Sequence, residues 1–201
     1  FCQRVGMMNM KYDEIYKALK KDMKPSRYKH TMGVVETAGK LAEIYGYDVK
    51  KAKLAALLHD CAKGIPDDQK VAMCREYGVS ITDAERGAPA LLHAKCGALA
   101  AEYRYGVEDE EILHAIRVHT TGCIRMNLLD KIIFVSDYIE PGRDKAPHLK
   151  ELRNLAQEDL DEATYRILED TVSYLQSNPD QTIDPTTYQA YLFYKEERKG
   201  L

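Results

Sequence analysis

Between Asp48 and Asp60 the chain reads Val-Lys-Lys-Ala-Lys-Leu-Ala-Ala-Leu-Leu-His. Ala52, Leu54, Ala55, Ala56 and Leu58 make this stretch apolar almost all round, and a helix of that kind must be enclosed by other elements. Asp48 is placed to cap its start. The segment predicts a central buried helix ending in an adjacent His59-Asp60 pair, and everything else must pack around it.

Helical spacing of apolar residues recurs nearly everywhere, with no convincing period-two strand pattern. Helices are predicted at about 12–23, 26–45, 67–77, 93–105, 108–119, 127–139, 159–176 and 186–199. Pro25, Gly46, Gly78, Gly106, Gly122 and Pro141-Gly142 mark the breaks. Residues 80–89 read as a loop or a broken helix. The expectation is an all-α helical bundle in one domain over residues 11–200, with 159–200 as a helical tail packed on it. Residues 1–10 read as an extension or remnant outside the fold.

With 201 residues and 45% apolar composition the chain can bury a real core. A net charge of -3 argues against a nucleic-acid binder held by a basic face, so phosphate must be attracted locally. No apolar run approaches the ~20 residues that span a bilayer. Cys2, Cys61, Cys74, Cys96 and Cys123 are odd in number and contain no C-x-x-C pair. Reduced thiols in the cytoplasm are therefore expected. No nucleic-acid or membrane partner is expected, and a homodimer is left open.

Four histidines and two aspartates stand out: His30, His59, Asp60, His93, His119 and Asp137. Each lies beside small or apolar residues on a predicted helix. A lone histidine of this kind is more often surface or satisfied core than ligand. Six such groups together favour a shared site, since buried carboxylates need a cation or several donors. His59 and Asp60 differ in direction by about 100° on a helix, so one ion can meet both only over the seam between their faces. Imidazoles with carboxylates suit divalent transition metals. Two such ions with two carboxylates would leave about +2 of charge, enough to attract phosphate. They would also activate water and polarise phosphorus. Lys63 follows one turn on, either as a substrate-phosphate contact or as a solvated helix-end cation.

These residues resemble the H…HD…D pattern of the HD-domain metal-dependent phosphohydrolase superfamily. The fuller motifs are similar to the YqeK family of symmetrical bis(5'-nucleosyl)-tetraphosphatases. They are Arg27-Tyr28-x-His30-Thr31, His59-Asp60-x-Ala62-Lys63, Leu92-His93, His119-Thr120-Thr121-Gly122 and Asp137-Tyr138-Ile139-Glu140-Pro141-Gly142-Arg143. The resemblance runs from about Lys11 to Tyr191 and continues through Asp159-Leu160 and Thr171-x-x-Tyr174-Leu175. Departures are Ala94, where glycine is frequent, and Leu192, where asparagine is expected.

The resemblance implies cleavage of diadenosine tetraphosphate to two ADP by a metal-bound hydroxide. It implies two divalent metals, iron first, with manganese or cobalt as alternatives. His30, His59, Asp60 and Asp137 would hold one ion, Asp60 would bridge, and His93 with His119 would hold the other. Asp60 and Lys63 are the expected catalytic groups. Arg27, Lys63, Arg143, Thr120, Thr121 and Gly122 are the expected substrate contacts. A rival substrate is another nucleotide, such as guanosine tetraphosphate or a deoxynucleoside triphosphate. A rival class is a metal-bound nucleotide sensor without turnover, in which loss of Lys63 would be silent.

Other residues read blandly. His114 lies about 140° from His119 and should not share its metal. His148 reads as a helix-start surface residue, and Cys61 as packed. Tyr188, Tyr191 and Tyr194 read as a packing stripe. Glu140 is a candidate to orient a liganding histidine, with a surface ion pair as the competing account.

Overall fold

The computed structural model describes residues 10–178 and 182–198. Residues 1–9 of the expected extension lie outside the described residues, while Met10 packs against the core. Eleven α-helices and no strand occur among the described residues. They are α1 (Tyr12–Asp22), α2 (Pro25–Ile44), α3 (Val49–Leu58), α4 (Asp67–Glu76), α5 (Asp83–Gly87), α6 (His93–Tyr103), α7 (Glu110–Val118), α8 (Leu128–Ile139), α9 (Leu149–Glu158), α10 (Leu160–Gln176) and α11 (Pro185–Glu197). A 3₁₀ turn, Pro89–Leu92, leads into α6. None of these helices is long and apolar enough to cross a membrane.

Starts and stops follow local chemistry. Asp48 accepts from the backbone N–H of Lys50 and Lys51 to open α3. Asp109 opens α7, and Asn127 opens α8 through a capping box closed by Asp130. Pro25 occupies the first position of α2, where its missing N–H costs nothing. Gly46, Gly78, Gly106 and Gly122 all take positive φ at breaks.

The helix α3 is the centre. Ala52, Ala55, Ala56, Leu57 and Leu58 are fully buried, enclosed by α2, α7 and α8. Leu113, Ile116, Leu129, Ile132 and Ile133 complete that core. Each fully buried aliphatic side chain contributes about 1.5–3 kcal/mol. A satellite cluster of Ala62, Cys74, Leu92 and Cys96 joins α4 to α6.

The structure adds detail to the expected elements in three places. Residues 80–89 contain the short helix α5, opened by a capping box in which Thr82 and Glu85 satisfy each other's backbone N–H. The helix α9 fits the expected helix start at His148, but its extent was not predicted; Leu149, Leu152 and Ala156 form its buried stripe. Its signal is masked by the polar run between them and by Pro147-His148, where His148 takes left-handed φ at the helix start. The tyrosine stripe divides: Tyr194 is buried and its hydroxyl accepts from Met126 N–H, while Tyr188 is exposed. The tail helices α10 and α11 pack on each other, with α10 also against α8 and α9.

Candidate metal centre

Three of the four histidines sit at helix ends. His59 follows α3, His119 follows α7, and His93 opens α6. His59 and Asp60 therefore stand in the tight turns after α3, not on the helix itself. Those turns close through Cys61 N–H to Leu58 O and Lys63 N–H to Asp60 O. They bring the two side chains to one side.

In each of these three rings Nδ1 donates to the carbonyl three residues earlier: Ala56 at 2.6 Å, Ala90 at 2.7 Å and Ile116 at 2.7 Å. His30 lies inside α2, where backbone carbonyls are already used. Its Nδ1 donates instead to the Glu140 carboxylate at 3.1 Å. With every Nδ1 engaged, all four Nε2 atoms face the interior around Asp60. The rings touch in sequence, with centroids 5.5 Å apart for His30–His59, 5.0 Å for His59–His119 and 5.1 Å for His93–His119.

Asp60 stands in the middle, and its two oxygens divide the histidines. Oδ2 faces His30 Nε2 at 3.8 Å and His59 Nε2 at 3.6 Å. Oδ1 faces His93 Nε2 at 3.3 Å and His119 Nε2 at 3.7 Å. Asp137 Oδ1 lies on the His30–His59 side, 3.0 Å and 4.0 Å from their Nε2 atoms. His59, Asp60, His93 and His119 are all buried.

The electrostatics match ligation. Burial pushes His59 down, and burial with His119 and Lys63 nearby holds His93 at about 3, so both rings are neutral near pH 7. Burial alone would raise Asp60 and Asp137, but the surrounding imidazoles outweigh it and hold both carboxyls well below the ordinary carboxylate range. His59 Nε2 is buried with no hydrogen-bond partner among the described residues. An unpaired buried lone pair is costly, and a cation at that point would satisfy it. The donor set thus fits divalent metal.

A family model described as the HD domain matches residues 27–142, spanning all six of these residues. The chain belongs to that family.

Relatives extend the likeness along most of the chain. A protein of Halalkalibacterium halodurans named bis(5'-nucleosyl)-tetraphosphatase, symmetrical, is 44% identical, covering 82% of this chain and 87% of the relative. One of the same name from Bacillus subtilis is 40% identical, covering 90% and 96%. A crystal structure from Clostridium acetobutylicum, described as a predicted HD superfamily hydrolase involved in NAD metabolism, superposes with a TM-score of 0.90 at 37% identity, covering 96% of this chain and all of that one.

Around the HD-domain cluster stand the expected substrate contacts. Arg27 donates to Asp60 Oδ2 at 2.7 Å. Lys63 Nζ lies 3.0 Å from His93 Nε2. Arg143 folds back on Asp137, reaching its Oδ1 at 2.9 Å and its carbonyl at 3.0 Å. A groove of about 610 Å³ opens beside His30, lined by Arg27, Tyr138, Arg143, Lys145, Asp170 and Tyr174 among others.

The Thr-Thr-Gly loop divides. Thr120 Oγ1 is 3.1 Å from both His93 Nε2 and His119 Nε2. Thr121 Oγ1 instead donates to Gly122 O, and Gly122 packs near Leu168 and Ala190 of the tail. Among the three, only Thr120 reaches the cluster through its side chain.

His114 stays apart from this cluster. It groups with Cys123 and Asp130, where Asp130 already accepts from His114 Nδ1 and from Asn127 N–H. Helix capping and an ion pair account for that grouping. Burial pushes the Cys61 thiol up to about 12, so no thiolate stands beside Asp60. Sequence reasoning named Glu140 without its partner and missed Arg153, which grips the turn after α8 from helix α9.

Proposed function

We propose that this chain hydrolyses diadenosine tetraphosphate symmetrically to two ADP, using two divalent cations. The observation that carries the metal-dependent chemistry is the division of Asp60: one oxygen faces His30 and His59, the other His93 and His119. A carboxylate so placed could serve both ions. The names of relatives 37–44% identical over most of the chain supply the substrate class, a bis(5'-nucleosyl) tetraphosphate cut symmetrically, and we take adenosine as its nucleoside.

In this reading His30, His59, Asp60 and Asp137 would hold one ion, and Asp60, His93 and His119 the other. The pair supplies Lewis acidity that activates water and polarises the phosphorus centre. We assign iron to both positions; the same ligands also suit manganese or cobalt. Lys63, reaching the cluster from the turn after α3, is placed to meet negative charge on the leaving oxygen. Arg27 and Arg143 stand at the groove mouth with guanidiniums suited to paired phosphate oxygens. Thr120 offers a hydroxyl between the rings of the second ion. Thr121 and Gly122 set the shape of that loop. Uncombined thiols at Cys61, Cys74, Cys96 and Cys123 fit a reducing, cytoplasmic setting.

The test is product identification with metal-loaded protein. Equal halves, two ADP from each diadenosine tetraphosphate, are expected. AMP plus ATP, or intact substrate beside hydrolysis of another nucleotide, overturns the assignment.

A further inference from the structure

The turn after α8 contains a brace that the reaction as described does not use. Glu140 is 4% exposed, and its carboxylate accepts from His30 Nδ1 at 3.1 Å and from Gly142 N–H at 2.6 Å. Space for it is made by glycine: a Cβ at Gly33 would lie 2.4 Å from Glu140 Oε2, and one at Gly142 3.0 Å. From the other side Arg153 of α9 donates to three backbone carbonyls of the same turn. They are Ile139 O at 2.8 Å, Glu140 O at 2.9 Å and Arg143 O at 2.8 Å.

The other three rings are aimed by carbonyls of their own turns, so local backbone fixes them. His30 depends on a group 110 positions away in the chain. A carboxylate on the far nitrogen fixes the tautomer, holds the ring plane and strengthens the near nitrogen as a ligand. Arg143 travels with the same turn and anchors on Asp137. One guanidinium outside the site thus governs both His30 and Arg143.

We propose that Glu140 and Arg153 are positioning residues: Glu140 aims His30 at its ion, and Arg153 holds the turn that carries Glu140 and Arg143. This deepens the assignment of His30 as a ligand and rests on it. Arg153 lies beyond the span matched by the HD-domain model.

The experiment is manganese affinity by chelator competition for the wild type, Glu140→Ala, Glu140→Gln, Arg153→Ala and Arg153→Lys, followed by kcat and KM. Glu140→Ala should weaken one of the two affinities by about 10–100-fold. Glu140→Gln should recover part, because an amide oxygen still accepts from Nδ1–H. Arg153→Ala should show a smaller loss of affinity together with a raised KM. Arg153→Lys should rescue little, since an ammonium lacks the planar fork that spans these carbonyls. Wild-type affinity and KM in all variants, with only a lower unfolding midpoint of the metal-free protein, overturns the proposal. Metal affinity is read without substrate. A wild type that binds two ions yet leaves diadenosine tetraphosphate intact therefore sinks the proposed function and leaves this test standing.

Discussion

The Lys63 ammonium lies 3.0 Å from His93 Nε2, the same ring atom that faces Asp60 Oδ1 at 3.3 Å. His93 is neutral near pH 7, so its lone pair accepts from Lys63. If His93 were to ligate through Nε2, that lone pair would no longer be available to Lys63, and the ammonium would be free to meet substrate. Partial desolvation at that end lowers the Lys63 pKa. Lys63→Met is expected to keep metal affinity at or above wild type while lowering kcat by about 10²–10³-fold, the scale of one preorganised donor. Wild-type turnover in steady-state assays would return Lys63 to a solvated helix-end cation.

Asp60 should govern both ions at once because each of its oxygens faces one pair of rings. Asp60→Asn keeps the shape and removes the charge, so bound metal should fall for both positions together. In the wild type, stripping the ions should lower stability by about 2.7 kcal/mol for each ion relative to protein held at a hundredfold excess over Kd. That is several degrees of thermal midpoint for a chain of this size. Metal analysis with scanning calorimetry checks it. Loss of only one ion in Asp60→Asn argues against bridging.

Gly97 keeps α6 close to the site. A Cβ there would lie 3.2 Å from His59 O and 3.2 Å from Ile116 Cγ2. The first is backbone and cannot swing aside, so α6 must retreat. Gly97→Ala should destabilise by about 1–3 kcal/mol through overpacking, despite a helix-propensity gain of up to about 1 kcal/mol. A urea midpoint lowered at constant slope is the signature. An unchanged or raised midpoint would mean the helix pair yields freely.

Lys51 ties α3 to α7, donating to Asp109 at 2.9 Å and Glu111 at 2.6 Å. Its hydrogen bond, joined by that of Tyr47, holds Glu111 below the usual carboxylate range; burial opposes the same effect on Asp109 but is outweighed. Depressed folded values stabilise above the unfolded pKa values of about 4.3 and 3.9 and lose that contribution as pH falls through the folded ones. Lys51→Met should therefore cost no more than about 1 kcal/mol at neutral pH, the groups being partly exposed. The difference from wild type should shrink below pH about 4 and close once the pH has passed the folded values. Denaturation across that range checks it, and a gap that persists in acid would assign the effect to packing.

How much was legible differs between the fold and the site. The spacing of Ala52 to Leu58, the cap Asp48, and the glycine breaks place most helices, because periodicity and capping act over one or two turns. The six ligand candidates stand out as imidazoles and acids among apolar and small neighbours. Sequence alone does not determine that His59 and Asp60 leave α3 into turns, that Asp60 faces two pairs of rings, or that Thr120 reaches the cluster while Thr121 does not. Nor does it join Glu140 to His30, or show that Arg153 of α9 donates to the carbonyls of their turn. Side-chain direction outside a regular helix depends on the turn's dihedrals and on what packs against it. Those are settled only when distant segments meet around α3.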